Sequence, residues 1–269
     1  MSDGSTATRG VALITGASGG IGADLARVFA RHGHALMLVA RDGARLEALA
    51  GEIAEKIAPP GVPRPLILAL DLSTLEAADR IEAALAASGA RVEILVNNAG
   101  FGLMGQAGEL GEAGQLAMVD LNVRAPTQLC LRLLPQIRAA RGKILNVASV
   151  VSYFPGGPGM AVYYASKAYV LSFSRALAQE LHEDGVTVTV LCPGVTPTGF
   201  QARAGMKGAF ESLPSTSPAR VAEEGYRAMI RGRREIAPGF LNAAGSWLMP
   251  LLPVGLTLKL IASAQRRRA

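Results

Sequence analysis

Short, almost uninterrupted apolar runs recur along the chain at residues 11–15, 34–40, 65–70, 92–96, 143–148 and 186–191. A strand with one wet face alternates polar and apolar side chains, whereas a continuous apolar run reads as a strand covered on both faces. Between the runs, residues 21–31, 42–57 and 74–87 have helical length and composition, with Asp42 and Ser73 placed as N-caps. Strands that alternate with helices imply right-handed crossovers, and hence an α/β fold around a doubly wound parallel sheet. No repeat or low-complexity linker divides the pattern, so residues 10–239 are predicted to form one domain behind a flexible tail at 1–9.

After the sixth run the rhythm changes. Residues 193–218 are rich in Gly, Pro, Ser and Thr, which suits a helical lid at the carboxyl edge of the sheet; an ordinary irregular connection is the alternative. Residues 240–269 read as an apolar helical extension of the same domain. Pro250, Pro253 and Gly255 interrupt that stretch and Asn242 and Lys259 dilute it, so two short amphipathic helices are expected rather than a membrane span. Such helices could roof an apolar pocket, pack in an oligomer, or lie on an anionic membrane surface.

Composition narrows the picture. The 269 residues are 50% hydrophobic and 18% charged, enough to bury a large core without disulfides or a structural metal. The net charge of +6 raises the question of nucleic acid, but six of the cations are Arg231, Arg233, Arg234 and Arg266–Arg268, with no aromatic interleaving, and no nucleic-acid partner is expected. Cys130 and Cys192 make no disulfide framework, and His32, His34 and His182 are scattered, so no metal site is expected either. The small, polar start lacks the apolar run of a secretory leader, and the protein is expected to be cytoplasmic.

The first run ends in Thr15-Gly16-Ala17-Ser18-Gly19-Gly20-Ile21-Gly22, immediately before a helix. In that context glycines permit a tight turn and close backbone approach to a pyrophosphate, which the helix N-terminus attracts, as in a Rossmann-like dinucleotide site. The second run closes with Ala40-Arg41-Asp42. A cofactor with a free 2′-hydroxyl would favour a carboxylate where Ala40 stands; Arg41 instead matches a 2′-phosphate, pointing to NADP(H), with NAD(H) the alternative if Asp42 serves as the acid. Asp71, after the third run, could contact the adenine or cap the next helix.

Asn97-Asn98-Ala99-Gly100 follows the fourth run, and Tyr163-Tyr164-Ala165-Ser166-Lys167 follows the fifth. With the glycine turn, these motifs resemble the short-chain dehydrogenase/reductase family over residues 10 to about 239. The resemblance implies a catalytic set of Asn122, Ser149, Tyr163 and Lys167. Only Tyr163 stands four residues before Lys167, so Tyr164 is out of register; Ser149 stands one residue further from Tyr163 than is usual, with Ser152 its competitor. The pair shares one helix face, and an ammonium about 5 Å from a phenol favours phenolate by roughly 3 kcal/mol, or about 2 pKa units. The family pattern further implies that Lys167 holds the nicotinamide ribose, Ser149 binds the reacting oxygen and Asn122 orders a proton relay. It implies cofactor contacts at Gly16, Ser18, Gly20, Ile21, Gly22, Arg41, Asp71, Leu72, Asn98, Ala99, Gly100, Tyr163, Lys167, Pro193, Gly194, Val195, Thr196 and Thr198.

The function so implied is hydride transfer between NADP(H) and a ketone or secondary alcohol, the apolar lid and tail favouring a small hydrophobic substrate. The alternatives are a silent NAD(P)-sensing binding protein and a lipid or acyl ketone reductase at a membrane surface. By the same resemblance a homo-oligomer, dimer or tetramer, is expected.

Overall fold

The computed structural model describes residues 9–205, 215–239, 242, 244, 248 and 252–266, the last three by backbone alone. β1 (Arg9–Thr15), β2 (Leu36–Ala40), β3 (Leu66–Ala69), β4 (Ala90–Asn97), β5 (Lys143–Val147), β6 (Thr187–Leu191) and β7 (Glu235–Ile236) form a seven-stranded sheet in the order β3-β2-β1-β4-β5-β6-β7. Every neighbouring pair is parallel. The order reverses between β1 and β4, and the crevice at such a switch point is where ligands bind in doubly wound sheets.

Continuous apolarity has the expected cause. Ala12 and Ile14 of β1 join a core with α1 (Gly20–Arg31), α2 (Gly43–Glu52) and α8 (Pro218–Ile230). Val11 and Leu13, one pleat out of phase, join a second core on the opposite face, with α3 (Ala77–Ala87), α5 (Ala125–Ala139) and α6 (Ala161–Glu180). Both cores must form for β1 to be dry on both faces.

Several boundaries differ from expectation. Arg9 belongs to β1, paired with Ala90, rather than to a tail, while residues 1–8 lie outside the described residues. β2 starts at Leu36, leaving His34 and Ala35 in the preceding turn. Asp42 caps α2 through its Oδ1, which accepts from the Arg45 amide at 3.0 Å, but the helix widens into a π-turn at Ile53–Ile57. Ser73 is not a helix cap: α3 starts at Ala77, and Ser73 instead donates its amide and hydroxyl to Asp71 Oδ1 at 2.9 and 2.7 Å. β7 was not anticipated, because two residues led by Glu235 make no apolar run.

α4 (Glu112–Val119) continues through a π-turn at Asp120–Arg124 into α5. Pro126 has no amide to offer the carbonyl four residues back, that of Asn122, so the widened turn falls where the regular bond cannot form. Of the lid, 193–205 and 215–218 are described, including α7 (Gly199–Arg203). Of the extension, α9 (Val254–Arg266) is a helix, whereas the stretch around Trp247 lies largely outside the described residues.

Candidate active site and dinucleotide cleft

The glycine turn is set by backbone geometry that side chains would spoil. Gly16 and Gly20 hold φ of +66° and +56°, and a Cβ on Gly22 would collide with the Gly16 carbonyl. α1 begins without a side-chain cap, leaving its first amides available to an anion, and Ser18, Gly19 and Gly20 line a groove of about 510 Å³ that reaches Thr198 and Arg45. That uncapped helix end, facing an open groove at the switch point, fits a dinucleotide pyrophosphate. Ile21 and Gly22 open the same helix.

The turn is laced to the loop after β4. Thr15 Oγ1 accepts from the amides of Asn98 and Ala99 at 2.9 and 3.1 Å, and Asn98 Nδ2 donates to the carbonyls of Thr15 and Gly16 at 2.9 and 3.3 Å. Asn98 therefore works as a clamp between two cofactor-facing loops. Thr15, whose hydroxyl completes the clamp, was not singled out from the sequence, where it reads as the last residue of a strand.

At the adenosine end, Ala40 closes β2 and Arg41 stays largely in solvent, its guanidinium 4.0 Å from Asp71. Burial alone would raise the Asp71 carboxyl, but the two Ser73 bonds and Arg41 outweigh it and hold the group below its usual range. Asp71 closes a turn on Ser73 and leaves its second oxygen towards Arg41, with Leu72 buried beside it. Asp42 is occupied by its cap and by Arg45 at 3.2 Å.

At the nicotinamide end, α6 delivers Tyr163 and Lys167 from one face, both buried. Ser149, at the end of β5, lies near enough to the Tyr163 phenol to oppose the rise in its pKa, and its Oγ accepts from the Val151 amide at 3.4 Å. Its Oγ also approaches the Pro193 carbonyl at 3.4 Å. Ser152 is placed elsewhere: its hydroxyl donates to the Lys167 carbonyl at 2.8 Å and so stiffens α6. Lys167 Nζ donates to the Val147 carbonyl at 3.0 Å. The Asn122 side chain accepts from the Phe101 amide at 3.1 Å and donates to the Phe101 carbonyl and Ser166 Oγ at 2.9 and 3.1 Å. A Cβ on Gly100 would sit 3.0 Å from Asn122 Oδ1 and 3.4 Å from Lys167 Nζ, so these groups share one small space.

The electrostatics correct one expectation. Burial pushes the Tyr163 phenol up to about 12, with Ser149 only partly opposing it, and drives the Lys167 ammonium down to about 8. With the cleft dry and the lysine turned to a backbone carbonyl, desolvation outweighs the attraction that spacing alone suggests. Tyr163 is thus held as the protonated phenol, the form that can donate to a carbonyl oxygen.

Pro193, Gly194 and Val195 follow β6 along the cleft, and the Val195 carbonyl accepts from Thr216 at 3.0 Å, tying the two described ends of the lid. The hydroxyls of Thr196 and Thr198 are engaged within the lid. Thr196 bonds the Gly194 carbonyl at 3.2 Å, and Thr198 caps α7 in a capping box with Gln201. Thr198 also packs its methyl over Gly20. Phe200, absent from the expected site, lies on Tyr163 with ring centroids 5.4 Å apart. Its only sequence signal was its place in the predicted lid.

The geometry is that of a known family. A family model for short chain dehydrogenases matches residues 10–207. The chain belongs to the short-chain dehydrogenase/reductase family. A sulfoacetaldehyde reductase of Chromohalobacter salexigens is 36% identical over 218 residues, covering 79% of this chain and 83% of that protein. A short-chain dehydrogenase from Sphingobium yanoikuyae, solved in complex with NADPH, is 33% identical with a TM-score of 0.78, covering 91% of this chain and 96% of that one. A 3-ketoacyl-(acyl-carrier-protein) reductase from Brucella melitensis, solved with NADH, is 31% identical with a TM-score of 0.73, covering 85% and 96%. The family chain described here is therefore an oxidoreductase whose Rossmann fold takes a nicotinamide dinucleotide.

Proposed function

We propose that this short-chain dehydrogenase/reductase is an NADP(H)-dependent carbonyl reductase for uncharged, apolar ketones or the matching secondary alcohols. The observation that carries the reading is the placement of Tyr163 and Lys167 on one face of α6, both buried, with Ser149 near the phenol and an apolar shell around it. Bound NADPH would supply the hydride. Tyr163 donates a proton to the carbonyl oxygen, Ser149 orients that oxygen, and the Lys167 ammonium stabilises the phenolate as it forms. Asn122 contributes through its main chain, since its side chain is committed to Phe101 and Ser166.

The shell around Tyr163 supports the substrate class. Met118, Met160 and Ala204 are buried there with Phe101, Leu103, Met104, Val151, Val162, Tyr164 and Phe200 packed against them, an apolar lining that favours an apolar substituent next to the reacting carbon. The space between Leu103, Met118, Met160 and Tyr163 holds about 10 Å³, about one water, so its lining must part to admit substrate there. The 2′-phosphate preference rests on Arg41, largely exposed and only 4.0 Å from Asp71, while the Asp42 carboxylate caps α2 and pairs with Arg45 at 3.2 Å.

The test is nucleotide oxidation across a panel of apolar ketones and small anionic aldehydes, with NADPH and NADH, before and after Arg41→Asp. Turnover confined to the apolar ketones and favouring NADPH is expected, with the nucleotide preference moving towards NADH by at least about tenfold in the variant. Preference for the anionic aldehydes, or a ratio insensitive to Arg41, contradicts the corresponding half of the proposal.

A further inference from the structure

The extension beyond β7 carries a feature that catalysis does not use. α9 seats Thr257 and Ile261 inward, 2% and 9% exposed, and rests Leu258 against Gly156 in the loop that precedes α6. The adjacent, exposed side is apolar as well. Leu248, Leu252, Leu256 and Leu260, spaced four residues apart, are 59%, 37%, 50% and 57% exposed, and Val254 is 57% exposed. Within α9, Leu256 and Leu260 stand one turn apart on one side of the helix, so they form an apolar stripe in water rather than scattered single residues.

Charge identifies what covers it. From Ile236 to the last residue there is no Asp or Glu, while Lys259, Arg266, Arg267 and Arg268 supply four cations. A second copy of this chain meeting the stripe through the same segment would bring no acid to balance those cations. An anionic lipid surface complements both features at once: leucines enter the acyl boundary and the cations meet headgroups. Among the described residues no helix is long and apolar enough to cross a membrane, which leaves contact in the plane of the surface.

We infer that α9 and the leucine stripe dock this protein on an anionic membrane surface as a peripheral anchor. Because α9 leans on the loop before α6, docking holds the entrance to Tyr163 near the lipid, where an apolar ketone concentrates; that last step rests on the substrate class proposed above, and the docking does not.

Vesicle flotation of the full chain tests it without reference to activity. Vesicles of phosphatidylcholine with phosphatidylglycerol should carry the protein upward, vesicles of phosphatidylcholine alone should carry much less, and added salt should weaken the binding. Leu256→Gln with Leu260→Gln should lower partitioning by at least about tenfold. These positions are exposed, and an unchanged thermal melt of the double variant separates lost docking from misfolding. Absence of flotation, equal binding to both vesicle types, or undiminished binding of a folded double variant overturns the inference. So does a dimer in light scattering that the same two substitutions dissociate, which would give the stripe to a second copy.

Discussion

Lys167 shows what a sequence can and cannot disclose about a single residue. Its spacing from Tyr163 is legible, because two positions four apart on a helix must share a face. Its environment is not: the Val147 carbonyl that receives its ammonium arrives from β5, 20 residues away in sequence, and the dry cleft that lowers it to about 8 is a product of the whole fold. The consequence is a stability signature. Between about pH 8 and its ordinary value of 10.5, the unfolded chain keeps a proton on this lysine that the folded chain releases, so folding gains from rising pH across that window. Lys167→Met lacks the titration. The difference in unfolding free energy between wild type and Lys167→Met should therefore move by roughly 2 to 3 kcal/mol in favour of wild type between about pH 7 and pH 10, measured by chemical denaturation without nucleotide. A difference that does not vary with pH would mean the ammonium is not desolvated. Ser149 and Ser152 illustrate the same division: both hydroxyls are visible in the sequence, but only the path of the chain after β5 turns one to Tyr163 and the other to the backbone of α6.

At the scale of elements, the six longer strands were legible because both of their faces are buried, and β7 was not, because it is held by pairing with β6 rather than by its own composition. Both π-turns were also invisible to apolar spacing, which a single widened turn hardly disturbs. The second has a chemical role in the account. Pro126 prevents a regular helical bond to the Asn122 carbonyl, and we propose that this oxygen thereby serves the proton relay. Pro126→Ala restores the missing amide. We expect a helix at least as stable as in wild type and a kcat lower by about tenfold with KM little changed, read from steady-state ketone reduction and thermal melts. Unchanged kcat would show that the widened turn is structural only. The lid belongs to this scale too: α7 was anticipated as part of a mobile segment, but its Phe200 contact with Tyr163 depends on how Thr198 seats on Gly20, which no local pattern encodes.

For the whole molecule, the sheet order brings residues from Thr15 to Thr198 to one carboxyl edge, on the two sides of the β1/β4 switch point. That convergence is why three short motifs, far apart in sequence, sufficed to indicate the cleft: each follows or opens an element whose end the topology places there. The same convergence places the Tyr163 phenol in a closed apolar space at the carboxyl edge of the sheet. The most direct test is single-turnover reduction of an apolar ketone by NADPH in wild type and Tyr163→Phe, with nucleotide affinity measured in parallel. The account predicts that Tyr163→Phe binds NADPH as wild type does and loses about 10²- to 10⁴-fold in the chemical step, because the phenol's transferable proton is gone while its ring still packs against Phe200. Reduction at a near wild-type rate by Tyr163→Phe would contradict it.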